Sequence, residues 1–320
     1  LYDPNTEVST MGCRTRVIAN AFDPKNEVVT GRGNLSFTSI NLPRIGIKHG
    51  IALGERKKAD MKAFYEELDE TMDLVKGQLL QRFECQCSKS KANFKFLLGS
   101  HVWLNSEKLD DNKTKIRTVL KHGTLSIGFI GLAETLMALI GEHHGESAKA
   151  QKLGLEIVEF MRKKCDEYCE EYKLNFGVYY TPAENLCHTA LDKFKAKYGI
   201  IENVSDKEFF TNSMHVPVWK EMSPFEKIDI ESQLTGYSSA GCITYVELDA
   251  SVRDNLLAVE TLVNYAMDHD IPYFAINVPN DTCLHCGFTD QIEADECPKC
   301  GGRSIQRLRR VTGYLTGDYR

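Results

Sequence analysis

The 320-residue sequence has no apolar run approaching the roughly 20 residues needed to span a bilayer, which argues against a membrane helix. No basic segment followed by an apolar one stands at Leu1, so no secretory signal peptide is read there. There is no excess of positive charge either. Lys and Arg number 39 against 45 Asp and Glu, a net charge of −6, which gives no reason to expect nucleic acid or an anionic membrane as partner. No repeat and no low-complexity linker interrupts the chain, so solenoids and tethered arrays are set aside. What remains is a cytoplasmic globular chain, long enough for one large or two ordinary domains. Leu1 is not a natural start, and the run Gly317-Asp318-Tyr319 before Arg320 does not read as a finishing element; both ends are expected to be cut.

Cysteine, by contrast, is plentiful, with 11 residues. Without a secretory context, metal binding or thiol chemistry outranks a disulfide framework. Cys283, Cys286, Cys297 and Cys300 form a C-x2-C-x10-C-x2-C pattern. Each C-x-x-C turn can aim two thiolates at one ion, and two turns close a tetrahedral zinc site with no position left for water. Such a site is structural rather than catalytic. Gly287 follows the first pair and Gly301-Gly302 the second, as tight knuckle turns require. His285 is a possible substitute ligand, although four cysteines already satisfy the ion. Cys165 and Cys169 read as small core-facing residues of a helix. Cys85 and Cys87 read as part of a polar surface loop.

Apolar periodicity predicts helices over residues 54–83, 145–172 and about 251–269, with short strand-type runs at 178–180, 243–246 and 273–278. Strands alternating with helices point to an α/β core with much parallel sheet.

Three stretches carry more than pattern. Near the end stands Arg310-Val311-Thr312-Gly313-Tyr314-Leu315. Near the start, Met11-Gly12-Cys13-Arg14-Thr15-Arg16 is followed by Gly31-Arg32-Gly33-Asn34 and Ile40-Asn41-Leu42-Pro43-Arg44. In the middle lie Ser126 to Leu132, Tyr180-Thr181-Pro182-Ala183-Glu184-Asn185, and Thr211 to Val218. Together these resemble the anaerobic (class III) ribonucleoside-triphosphate reductases, which are glycyl-radical enzymes, and the similarity spans the whole chain. The Arg310 run is similar to their glycyl-radical motif, the Cys13 run to the loop whose cysteine becomes a transient thiyl radical. Residues 126–132 look like the family's glycine-rich helix start, 180–185 like its T-P-A-E loop, and 211–218 like a segment packed near the barrel mouth.

The resemblance implies a fold: part of a ten-stranded α/β barrel of the ribonucleotide reductase and pyruvate formate-lyase type. The catalytic barrel with its cysteine finger loop would cover 1–278, a zinc ribbon 279–303, and a glycyl-radical loop 304–320. It also implies chemistry. A radical S-adenosylmethionine iron–sulfur activating enzyme would take a hydrogen from Gly313. The Gly313 radical would draw hydrogen from Cys13, and the Cys13 thiyl would take the 3′-hydrogen of a ribonucleoside triphosphate. Glycine suits storage because an α-carbon radical is planar and delocalised between its two flanking amides. Asn34 would hold the ribose hydroxyls or the reductant and, by its type, goes with formate; a loop Asn capping a turn is the plain alternative. Glu184 is weighed evenly as a general base at the ribose or as a helix N-terminal carboxylate. Thr181, Ala183 and Asn185 would meet the triphosphate through N–H groups at that helix start. His188 and His215 are expected to be structural. The family is dimeric, and its nucleotide-sensing region, specificity site and second active-site cysteine would lie upstream of Leu1. Two other readings stay open: another glycyl-radical enzyme of the acyl-lyase type, and an inactive zinc-binding module.

Overall fold

The computed structural model describes residues 9–11, 14–25, 28–110, 113–183, 185–311 and 314–319. Its first half runs β1 (Ser9–Met11), β2 (Thr15–Val17), β3 (Asn34–Asn41), α1 (Leu42–His49), α2 (Met61–Cys87), α3 (Arg117–Leu120), β4 (Thr124–Ile130), α4 (Leu132–Ile140) and α5 (Ala148–Tyr172). It continues with β5 (Asn175–Tyr180), α6 (Leu186–Tyr198), α7 (Pro224–Thr235), β6 (Thr244–Glu247), α8 (Leu256–Asp268), β7 (Phe274–Asn277), β8 (Asp281–Cys283), β9 (Thr289–Asp290), β10 (Ile305–Val311) and β11 (Tyr314–Tyr319).

β3, β4 and β5 form a parallel sheet in that order, with Ile40 opposite Phe129 and Phe129 opposite Tyr180. Every residue of β4 and β5 is buried, as strands covered on both faces must be. One face, through Ile40, Leu125, Ile127, Phe129, Phe176 and Val178, packs on α2 and α5 in the main core. Those two helices form because their apolar residues recur every three or four positions. In α2 the buried stripe is Phe64, Leu68, Met72, Val75, Leu79, Phe83 and Cys87, and Asp60 caps the start by accepting from the Ala63 N–H. In α5, Ser147 caps in the same way and Ile157, Met161, Cys165 and Tyr168 face inward.

The stripe explains one correction. The loop expected around Cys85 and Cys87 is the last turn of α2, and Cys87 sits in the core because it continues the four-residue spacing from Phe83. The helix expected over 251–269 is likewise divided: a 3-10 turn (Ala250–Asp254) precedes α8, which Asn255 caps at the Ala258 N–H. Residues 126–132 are mostly strand β4, with the helix starting only after Gly131.

The sheet continues past β5. Ala240 donates to the Val178 carbonyl and Tyr180 to the Gly241 carbonyl, and Tyr179 bridges Gly241 in parallel. Residues 240–241 lead directly into β6, which pairs in parallel with β7. The described strands therefore make a parallel α/β arc; they do not close a ten-stranded barrel. A separate antiparallel sheet, ordered β11-β10-β8-β9, carries the cysteine cluster and the end of the chain. No helix among the described residues is long and apolar enough to cross a membrane.

Candidate active site and metal centre

The face of the sheet away from α2 and α5 carries Ser39, Gly128 and Thr181 beside the packed rings of Phe37 and Tyr179. Ser39 and Thr181 share a hydrogen bond of 2.7 Å directly over Gly128, where a Cβ would stand 2.0 Å from the Thr181 hydroxyl. Across this face runs the segment that follows Cys13. β1 and β2 pair as an antiparallel hairpin, Met11 opposite Thr15. The Arg16 N–H donates to the Ala240 carbonyl at 2.8 Å, and its guanidinium to the Ser238 carbonyl. Gly241 lets the two backbones meet: its φ is +132°, and a Cβ there would lie 1.8 Å from the Arg14 carbonyl oxygen. Arg14 is buried, and its Nη1 donates to the carbonyls of Tyr180 at 3.2 Å and Thr181 at 3.1 Å. Asn34, at the start of β3, donates from Nδ2 to the Thr15 hydroxyl at 3.4 Å, and its buried Oδ1 has no partner among the described residues.

The loop after β5 leads to α6. Asn185 stands at the N-cap of α6 without a side-chain hydrogen bond to the first turn. The Ala183 N–H is already taken by Asn212 Oδ1 at 3.0 Å, which leaves it serving the loop's own structure. Residues 211–216 are buried under this loop. They are pinned by Glu134 of α4, whose Oε1 accepts from the Thr211 N–H at 2.8 Å and hydroxyl at 2.6 Å. Burial pushes the Glu134 carboxyl up to about 7 despite those two bonds. His215 pairs with buried Glu231 at 3.2 Å. Burial alone would raise Glu231, but His215 and Lys227 hold it below the ordinary carboxylate range. His188 is exposed and reaches the Glu208 carbonyl.

A cavity of about 300 Å³ opens beside this loop, at the carboxyl ends of β3 and β4, where ligands of parallel sheets bind. Ser39, Asn41 and Thr189 offer it polar atoms, and Arg44, Lys193 and Lys197 offer it positive charge. Lys193 and Lys197 are four apart on α6, a like-charge spacing that is unfavourable without an anion nearby.

In the tail, the thiols of Cys283, Cys286, Cys297 and Cys300 all lie within 4.8 Å of one another. The Cys283–Cys300 and Cys286–Cys297 separations are 3.7 Å. A tetrahedral ion with Zn–S arms of ~2.3 Å needs S···S edges of about 3.8 Å, so the four residues fit zinc. The two knuckles are alike: Gly287 donates to the Cys283 carbonyl at 2.9 Å and Gly301 to the Cys297 carbonyl at 2.8 Å, both glycines with φ near +70°. N–H groups of Cys286 and His285 draw the Cys283 thiol down, while hydrogen bonding to the neighbouring thiols holds Cys300 up. His285 is not part of the cluster.

A family model described as "Anaerobic ribonucleoside-triphosphate reductase" matches residues 2–319. The chain belongs to this family. The anaerobic ribonucleoside-triphosphate reductase of Salmonella typhimurium is 34% identical over 316 residues, covering 95% of this chain and 42% of that protein. That of Enterobacteria phage T4 is 33% identical over 319 residues, covering 96% and 49%. The chain thus spans less than half the length of these relatives. Among solved structures, an anaerobic ribonucleotide reductase superposes with a TM-score of 0.63 at 20% identity, over 90% of this chain and 41% of that one. The Thermotoga maritima enzyme with glycerol in its active site gives the same TM-score and identity, over 90% and 42%. At such identity these two speak for the mixed α/β fold alone.

For a member of this family the residues singled out from sequence fall into four groups. Asn34 and Thr181 come together around the segment that follows Cys13, and the four cysteines form one cluster. Ala183 and Asn185 lie on the loop beside the cavity, the former with its N–H occupied. Cys13, Glu184 and Gly313 lie outside the described residues. β10 and β11 pair on either side of residues 312–313, Val311 opposite Tyr314. Sequence reasoning passed over Arg14, Ser39, Glu134 and Asn212. Arg14 was visible inside the Cys13 motif. Ser39 could have been found from strand alternation in β3. Asn212 was visible inside the Thr211 to Val218 run, whereas Glu134 carries no local signal.

Proposed function

We propose that this chain is the C-terminal catalytic part of an anaerobic ribonucleoside-triphosphate reductase, converting ribonucleotides to deoxyribonucleotides by glycyl and thiyl radical chemistry. The observation that supports it best is the course of residues 14–16 across the inner face of the parallel sheet, in contact with Thr181 and close to Asn34. Arg14 meets the Thr181 carbonyl just past the end of β5, and the Thr181 hydroxyl meets Ser39, which lines the basic cavity. In this reading the cavity takes the nucleotide, with Arg44, Lys193 and Lys197 facing its triphosphate. Gly313 stores the radical after a radical S-adenosylmethionine activating enzyme has taken its hydrogen. Cys13 uses it, because a thiyl is the stronger hydrogen abstractor. The 3′-hydrogen moves to Cys13, the 2′-hydroxyl leaves as water, and formate supplies two electrons as it becomes carbon dioxide. Asn34 orients the formate: a neutral amide donates N–H bonds without protonating a small anion. Glu184 serves the proton transfer at the leaving hydroxyl. Zinc, where bound, supplies no step; Cys283, Cys286, Cys297 and Cys300 hold the base of the β10–β11 hairpin in place.

We read the parallel arc as part of a ten-stranded barrel in a homodimeric enzyme. The catalytic barrel part would occupy 1–278, the ribbon 279–303 and the radical loop 304–320, although β8 and β10 join the last two in one sheet. The test is low-temperature EPR on the full-length protein after anaerobic activation. A glycyl doublet that Gly313→Ala abolishes is expected. Cys13→Ser should keep the doublet and make no deoxynucleotide, because an alcohol O–H is too strong for the glycyl radical to break. A silent unmodified protein would favour the zinc-binding module, and turnover by Cys13→Ser would remove the thiyl assignment.

A further inference from the structure

A guanidinium is buried at a high cost unless its N–H groups find acceptors, so the acceptors show what the side chain does. Arg14 is 1% exposed. Its Nη1 donates to the carbonyls of Tyr180 and Thr181, the last residue of β5 and the first of the loop that leads to α6. The cation lies 5.5 Å from the centre of the Tyr245 ring. Tyr245 in turn packs on His215 with ring centres 5.7 Å apart, and His215 is held by Glu231. No carboxylate among the described residues pairs directly with Arg14. The side chain therefore acts through main-chain carbonyls and an aromatic face, which fix position, rather than through an ion pair.

The carbonyls it takes matter. In a trans peptide the N–H points opposite to the C=O, so a Tyr180 carbonyl anchored on Arg14 sets the direction of the Thr181 N–H. Anchoring Thr181 also fixes its hydroxyl on Ser39, at the edge of the cavity. One side chain thus ties the backbone next to Cys13 to the loop beside the proposed nucleotide cavity. Hydrogen abstraction needs the reacting atoms about 3–3.5 Å apart, and an error of about 1 Å is enough to cost about 100-fold in rate.

We infer that Arg14 is a positioning residue that holds the backbone following Cys13 and the Tyr180–Thr181 end of the next loop in one register, which in the reading above serves to present the ribose carbon to the sulfur. The inference rests on the reading under Proposed function. Lysine cannot replace Arg14: both carbonyls are met by Nη1, one bond beyond the point that a lysine Nζ reaches, and an ammonium has no planar face to lay over Tyr245.

The test uses full-length protein activated anaerobically, with Arg14→Lys, Arg14→Gln and, as a milder change, Tyr245→Leu. For the two Arg14 variants we expect the glycyl EPR doublet per chain to match the unmodified protein, kcat to fall on the order of 100-fold, and KM for the nucleotide to change by only a few fold. The kinetic isotope effect with 3′-deuterated nucleotide should rise, because abstraction becomes slower than the steps around it. Tyr245→Leu should move each readout the same way by less. An Arg14→Lys protein with unmodified kcat would overturn the inference. So would radical yield and melting temperature that fall together with kcat while the isotope effect stays unchanged, since that is the signature of a merely structural role. Absence of the doublet in the unmodified protein would instead strike the underlying reading, and the inference with it.

Discussion

Gly241→Ala is the sharpest test of the route taken by the chain after Cys13. A Cβ at this position would lie 1.8 Å from the Arg14 carbonyl oxygen, 2.7 Å from its carbon and 2.8 Å from the Arg16 nitrogen. All three are backbone atoms, so no side chain can swing aside. The φ of +132° adds strain of about 1–3 kcal/mol for any residue with a Cβ. Overpacking adds about 1–3 kcal/mol. If the segment lifts to relieve the clash, it loses the 2.8 Å bond from the Arg16 N–H to the Ala240 carbonyl, worth about 1 kcal/mol. A loss of about 2–6 kcal/mol is therefore expected if the segment stays in place, and about 2–4 kcal/mol if it lifts. Urea unfolding followed by circular dichroism measures it. Gly77→Ala is the matched control: it lies within α2 with nothing within 4 Å of its added Cβ, and should gain up to ~1 kcal/mol from helix propensity. In the full-length enzyme Gly241→Ala should form the glycyl radical yet lose about 100-fold in turnover, because lifting residues 14–16 moves Cys13. An unchanged urea midpoint together with unchanged turnover would show that this segment does not pass over Gly241.

The protein should bind about one zinc per chain, and Cys297→Ala should release it and lower radical yield; full radical content in the metal-free variant would separate the ribbon from Gly313. Labelled formate should give one labelled carbon dioxide per deoxynucleotide, and Asn34→Ala should cut turnover with the Gly313 radical intact; turnover that runs on a redoxin and ignores formate would sink the reductant assignment. Burial pushes the Glu134 carboxyl up to about 7 in the folded chain from an ordinary value of 4.5, so its contribution, up to about 3 kcal/mol, is complete below pH ~4.5 and is lost as pH rises through about 7. Glu134→Gln keeps the acceptor for Thr211 and should flatten that part of the stability–pH curve; an unaltered slope would show that the carboxyl titrates normally.

Local pattern carried much of this protein. The stripes of α2 and α5, the strand type of β5 to β7 and the double C-x-x-C knuckles could all be read because each depends on residues within a few positions of one another. The motifs around Cys13 and Gly313 were legible for a different reason: they are short, ordered runs whose resemblance to a family survives without any knowledge of contacts. Tertiary structure decided the rest. That Cys87 extends a helix rather than a loop depended on a core being there to receive it. That the Ala183 N–H is spent on Asn212, and so is not offered to a phosphate, depended on residues 29 positions apart in sequence meeting. That Arg14 takes the carbonyls of Tyr180 and Thr181 depended on a meeting across 166 and 167 positions. Hydrogen-bond partners of buried polar groups are settled by whichever acceptors the packed chain brings within 3 Å or so, and no periodicity along the backbone encodes that choice.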